Sequence, residues 1–113
     1  MHELSIATRI ADIVSKVMDE NSATRAGAVT VEIGRLAGVD RSSLEFSFEA
    51  VTRGTRLEGS RLVVEEVMPR ARCRTCGGEY QVSLDDFRCK ACGSPEFDVL
   101  AGMDVSVKDA EVE

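Results

Sequence analysis

Tryptophan is absent from these 113 residues, tyrosine occurs once, phenylalanine four times, and histidine only once, at position 2. With aromatics at 4%, an aliphatic core must hold the fold. No apolar run approaches the roughly 20 residues that span a bilayer. The N-terminus also lacks the basic and apolar regions of a signal peptide, so a cytoplasmic protein with no membrane partner is expected. An excess of base is missing too. The chain carries 14 basic and 20 acidic side chains, for a net charge of −6, which argues against a general nucleic-acid surface. Beyond His2 there is no histidine base, and no nucleophile and base stand at a recognisable spacing, so an enzyme is the least expected class.

What is present is unevenly distributed. Residues 1–69 sum to −3, residues 70–95 to +2, and residues 96–113 to −5. Ile6, Ile10, Ile13, Val14 and Val17 recur at steps of three and four, predicting an amphipathic helix over Leu4–Met18 that Asn21 and Ser22 end. Val29, Val31 and Ile33 alternate with polar residues in a strand over 28–36. A second helix should start near Ser42, where Ser42 and Glu45 have capping-box spacing, and Leu44, Phe48 and Val51 form its stripe before Gly54. Leu62 to Met68 read as a further strand ended by Pro69. Phe97, Val99, Ala101, Met103, Val105 and Val107 alternate through one long final strand that Gly102 lets bend.

Arg70–Pro95 differs in composition, holding all four cysteines and few aliphatic residues. The expected fold class is α+β: two helices packed on a small three-stranded mixed sheet, with an inserted four-cysteine zinc-ribbon module. The main domain would be residues 1–69 completed by the final strand, 96–113, and the metal-binding domain residues 70–95.

Cys73-Arg-Thr-Cys76-Gly and Cys89-Lys-Ala-Cys92-Gly are two like turns separated by twelve residues, the spacing of a four-cysteine zinc ribbon. Sulfurs about 2.3 Å from a tetrahedral ion lie about 3.8 Å apart, and a two-residue gap delivers both thiolates of a pair to one side. The glycine after each pair tolerates the left-handed backbone such a turn requires. No fifth thiolate or nearby histidine leaves a position open, so a structural ion is expected. Disulfides or redox dithiols are the alternative, and a rubredoxin-like iron site is a third. A ribbon that contacts nucleic acid is the runner-up function. Against it, four thiolates and one divalent cation bring the segment's +2 to about zero, and Tyr80 and Phe87 are its only aromatic rings.

A lone histidine near a chain end is ordinarily solvated and dispensable. His2, however, adjoins the α-amino group of Met1, whose pKa of about 8 makes it an available donor. The amine, the imidazole and neighbouring backbone nitrogens form fused chelate rings that suit Ni²⁺ or Cu²⁺. Glu3 offers an oxygen, or an acid to start the helix.

Met1-His2-Glu3-Leu4-Ser5, an amphipathic helix, the inserted Cys-x-x-Cys…Cys-x-x-Cys and a strand-forming acidic end together resemble the HypA/HybF family of nickel metallochaperones of [NiFe]-hydrogenase maturation. The resemblance covers essentially the whole chain. It implies that His2 and the Met1 to Glu3 backbone bind Ni²⁺ as cargo, while Cys73, Cys76, Cys89 and Cys92 hold structural Zn²⁺. It also implies partners: the maturation GTPase HypB, the hydrogenase large subunit and, in some organisms, urease maturation. Two departures stand out. Some members have histidines beside the zinc cysteines, which could let the zinc shell change ligands with pH; this chain has none, so that behaviour is not expected. Lys90 stands where members often have proline, which lessens turn rigidity and leaves the ligands alone.

Overall fold

The computed structural model describes residues 3–113. In chain order it contains α1 (Glu3–Glu20), β1 (Ala26–Gly34), α2 (Arg41–Thr52), β2 (Arg61–Val67), β3 (Arg70–Cys73), β4 (Glu79–Gln81), β5 (Phe97–Ala101) and β6 (Val105–Val112). The strands form two three-stranded sheets, ordered β2-β1-β6 and β4-β3-β5. The chain divides into two compact units. The first comprises residues up to Glu32, then Gly38–Glu65 and Ser106–Glu113; the second comprises Ile33–Ala37 and Glu66–Val105.

In the first unit, α1 buries Ile6, Ala7, Ile10, Val14 and Met18. These lie at the three- and four-residue steps of a single helical face. Ile13, which the sequence places in that stripe, is instead exposed, and Ala7 and Met18 complete the face. The helix ends by leaving its axis at Ser22, at φ 52. The Ala23 N–H then donates to Met18 O at 2.8 Å and the Ser22 N–H to Asp19 O at 3.3 Å. This paired closure satisfies terminal carbonyls, and the buried Ala23 seals it.

α2 packs against α1 and contributes Leu44 and Phe48, each fully enclosed and each worth about 2 kcal/mol over exposure. Its N-cap is Asp40, two residues ahead of the expected Ser42. Asp40 Oδ1 accepts the Ser42 N–H at 3.0 Å and the Ser43 N–H at 3.5 Å. A carboxylate is a stronger acceptor than a hydroxyl for these free donors. Glu45, the expected reciprocal half of the box, pairs with Arg41 at 2.9 Å instead.

The first sheet is mixed. Arg25 and Glu113 exchange backbone hydrogen bonds at one end of β1, and the Gly34 N–H donates to Asp104 O at the other. β1 and β6 are therefore antiparallel, the two bonded points lying nine residues apart on each strand. The Arg35 N–H donates to Val67 O at 2.9 Å, joining the C-terminal ends of β1 and β2, so those two strands are parallel. α2 is the crossover between them.

The expected single strand over 96–113 is two strands. Phe97–Ala101 pairs antiparallel with β3 in the second sheet, and only Val105–Val112 reaches β1. The physical reason is a break at Gly102, where φ is +99 and a Cβ would lie 2.6 Å from the Pro69 Cα. The alternating pattern runs through unchanged because residues on both sides are half-buried in alternation. The second unit thus extends past the expected 70–95, taking in residues up to Val105.

Candidate metal centre

The second sheet aligns the two cysteine turns. β3 runs into Cys73, with Ala71 opposite Tyr80 of β4 and Cys73 opposite Phe97 of β5. The Cys73 N–H donates to Gly78 O at 2.8 Å and the Gly77 N–H to Cys73 O at 2.9 Å. Sixteen residues later the same bonds recur: the Cys89 N–H donates to Ser94 O at 3.0 Å and the Gly93 N–H to Cys89 O at 2.7 Å. Gly77 and Gly93 sit at φ 75 and 77, a left-handed conformation that other residues resist. The two turns are copies of one another, and the Thr75 and Ser94 hydroxyls join them at 2.7 Å.

This geometry brings the four sulfurs of Cys73, Cys76, Cys89 and Cys92 within 4.8 Å of one another. Cys73 Sγ lies 3.5 Å from Cys92 Sγ, and Cys76 Sγ lies 3.7 Å from Cys89 Sγ. Those spacings match the roughly 3.8 Å edge of a tetrahedron of sulfurs about a single ion. They far exceed the 2.0 Å of a disulfide, and all four cysteines are free. The first cysteine of each pair is buried and the second is exposed.

Backbone dipoles prepare the sulfurs to carry charge. The Cys76 N–H points at Cys73 Sγ and, against the opposing effect of burial, joins with the Thr75 N–H to draw the Cys73 thiol down to about 6. The N–H groups of Cys92 and Ala91 lower Cys89 in the same way. Cys92 receives the Ser94 N–H, yet the Cys73, Cys89 and Cys76 sulfurs and burial push it up to about 12. Four thiolates this close need a cation among them, and the donor set fits a thiophilic tetrahedral metal.

Around the cluster the packing is thin. Pro69, Ala71 and Val82 are its buried non-cysteine side chains. Phe87 meets Phe97 edge to face at 5.9 Å, and the Tyr80 hydroxyl donates to Phe87 O at 2.8 Å. Burial, then the charge of the nearby sulfurs, raises the Tyr80 pKa and keeps that proton in place. The arginines are held by acids: Arg70 and Arg72 by Glu79, Arg74 by Asp98 at 2.6 Å, Arg88 by Asp86 at 2.9 Å. They form no open basic stripe of the kind a nucleic-acid contact requires.

Of the other expected ligands, Met1 and His2 lie outside the described residues. Glu3 opens α1, and its carboxylate accepts the Asp40 N–H at 3.4 Å, beside the cap of α2. The sequence reading missed this tie, the Thr75–Ser94 link and the ion pairs of the arginines. Only the repeated position of Gly77 and Gly93 signalled that the turns would share their closing bonds.

Over residues 1–112 the chain matches the family described as hydrogenase/urease nickel incorporation, metallochaperone, hypA. It is 44% identical to the hydrogenase maturation factor HypA of Geobacter metallireducens and 42% identical to that of Geotalea uraniireducens, each over 113 residues and the full length of both chains. The solution structure of the Ni metallochaperone HypA from Helicobacter pylori superposes with a TM-score of 0.76 at 21% identity, covering 99% of this chain and 97% of that one. A second solution structure of a HypA protein gives 0.78, also at 21%, covering 100% and 97%. At that identity the structural likeness establishes the fold, and the sequence matches establish kinship. The chain belongs to the HypA family of hydrogenase maturation factors, nickel metallochaperones with a four-cysteine metal site and not catalysts.

Proposed function

We propose that this protein binds Ni²⁺ through His2 and nitrogens of the Met1–Glu3 segment and delivers it to the [NiFe]-hydrogenase large subunit in the cytoplasm. The observation that carries the reading is the family match, which includes residues 1–3 and runs to residue 112. His2 is the chain's only imidazole, and nitrogen-rich sets favour Ni²⁺ over the harder divalent ions. Glu3 contributes most readily by its backbone, because its carboxylate already accepts the Asp40 N–H. The maturation GTPase HypB is the proposed partner in transfer, with urease maturation as a second client route.

The resident ion at Cys73, Cys76, Cys89 and Cys92 is proposed to be Zn²⁺, which would tie the two turns together and do no chemistry. On this reading the nickel-binding domain is the unit that carries α1 and α2, and the zinc domain is the unit that carries the cysteines.

Calorimetric titration of the untagged protein tests the assignment. His2→Ala should abolish specific Ni²⁺ binding while the zinc content stays at one per chain. An N-terminal extension should weaken binding by displacing the amine. Unchanged nickel affinity in His2→Ala would overturn the proposal.

A further inference from the structure

A purely structural ion needs four enclosed donors, yet half of this shell is open. Cys76 and Cys92 are exposed, whereas Cys73 and Cys89 are buried. The close sulfur approaches run between the turns. Buried Cys73 meets exposed Cys92 at 3.5 Å, and buried Cys89 meets exposed Cys76 at 3.7 Å. Each of these pairs joins a sulfur that a small solute reaches to one that it does not. All four lie within the second unit.

The turns also have ties that do not pass through sulfur. The Thr75 and Ser94 hydroxyls meet at 2.7 Å. The Arg74 N–H donates to Glu96 O at 3.0 Å, and the Gly77 and Gly93 N–H groups close their own turns. With these in place, each cross-turn pair needs only about 1.5 Å of closure to reach the ~2.05 Å of a disulfide. A bond within one Cys-x-x-Cys would close a loop of a few residues and leave the turns unjoined. Bonds between the turns would impose the same constraint as the ion.

Zn²⁺ has no redox chemistry, so any electrons given to an oxidant come from the sulfurs. Thiolates are the nucleophiles toward peroxides, and their susceptibility follows exposure. The Cys92 thiolate attacks a hydroperoxide at its O–O bond, which breaks; one oxygen stays as the sulfenic acid and hydroxide leaves. The Cys73 thiolate then attacks the Cys92 sulfur, an S–S bond forms, and the S–O bond breaks to release a second hydroxide. Two thiolates have lost two electrons and the peroxide has gained them. Cys76 and Cys89 repeat the step with a second peroxide, and the ion leaves a site without thiolates.

We propose that the cluster is a hydroperoxide-reactive site that begins oxidation at Cys76 and Cys92 and exchanges its ion for two disulfides between the turns, Cys73 to Cys92 and Cys76 to Cys89. The proposal rests on the reading that the cluster holds Zn²⁺ and is independent of the nickel reading.

Hydrogen peroxide added to the untagged full chain, as purified, tests it. Metal analysis before treatment checks the zinc reading separately. A chromogenic chelator then follows release, which should consume two peroxides for each zinc ion. Trypsin cuts after Arg74, Arg88 and Lys90, so the four cysteines fall on four separate peptides. Mass spectrometry of the alkylated digest should find Cys73 joined to Cys92 and Cys76 joined to Cys89. Amide protection at Gly77 and Gly93 should survive in the oxidised, zinc-free chain and fall when that chain is reduced in the presence of chelator. Any other pairing overturns the proposal, and so does zinc retained until sulfinic or sulfonic acids accumulate. A chain without zinc before treatment fails the zinc reading and the exchange with it; a chain that holds zinc but pairs otherwise fails this proposal alone.

Discussion

Replacing Gly34 by alanine isolates what close backbone approach contributes to the second unit. Gly34 does not have a positive φ, so alanine meets no conformational penalty there. At a roomy position the change would stabilise the protein by about 0.4–1 kcal/mol, through the unfolded chain. At Gly34, however, the added Cβ would stand 2.1 Å from the Gly102 carbonyl carbon and 2.6 Å from the Met103 nitrogen. Carbon atoms rest at about 3.5 Å or more, so the two backbone passes must part by more than about 1 Å. That motion strains the Gly34 N–H bond to Asp104 O and the Leu36 N–H bond to Gly102 O, both 2.8 Å. At about 1 kcal/mol net for each bond, plus overpacking, Gly34→Ala should destabilise by about 2–4 kcal/mol. Urea unfolding followed by far-UV circular dichroism gives the magnitude, and amide exchange at Gly34 and Leu36 gives the location. A variant as stable as the parent, or more stable, would refute the close-approach argument, because the two effects have opposite signs.

Cys92→Ser leaves three sulfurs, and is expected to lose the resident metal and amide protection across Arg70–Ala101 while α1 and α2 keep theirs; metal analysis with hydrogen exchange reads both. Asp86 is held at about 2 by the Arg88 guanidinium and N–H. Its depressed pKa means that the pair's stabilisation is complete above the unfolded carboxyl's range and disappears as pH falls through about 2. In Arg88→Ala the carboxyl titration followed by NMR should move up toward the ordinary 3.8, and an unmoved midpoint would contradict the pairing. Asp40→Ala removes the acceptor of the Ser42 and Ser43 N–H groups and should cost about 1 kcal/mol. Ser42→Ala should stay within about 0.5 kcal/mol, and the reverse order in thermal unfolding would restore Ser42 as the cap.

The cysteine cluster and the two helices were legible in the sequence because short-range periodicity carries them. Two Cys-x-x-Cys-Gly repeats dictate two like turns, and Ile6, Ile10 and Val14 dictate one face of α1. The cap moved from Ser42 to Asp40 because Asp40, Ser42 and Ser43 all have side chains able to cap, and the choice rests on acceptor strength. The final strand was misjudged for a different reason. Strand alternation is blind to which sheet a strand joins, and the pattern from Phe97 to Val107 is continuous across a chain that changes sheets at Gly102. The close approach of Pro69 that forces that break is a tertiary contact with no local signal.

The four-sulfur site is built to hold its ion, and this bears on where a cargo ion goes. Its donors sit on turns closed by paired backbone bonds. Removing the ion would leave sulfurs 3.5–3.7 Å apart with their charge uncompensated. Loss of metal from such a closed shell is coupled to protonation of its sulfurs and to the folding of its turns, which suits retention better than handover. Among the described residues, the four cysteines are also the only clustered set of three or more histidine, cysteine or acidic side chains placed to share a metal. On the proposed reading a transferable ion takes its donors elsewhere, from His2 and the Met1 nitrogen. Ligands strung along a few consecutive residues can be surrendered one at a time to an incoming donor. Each exchange then costs a single bond, where opening the cysteine site would cost the whole shell at once.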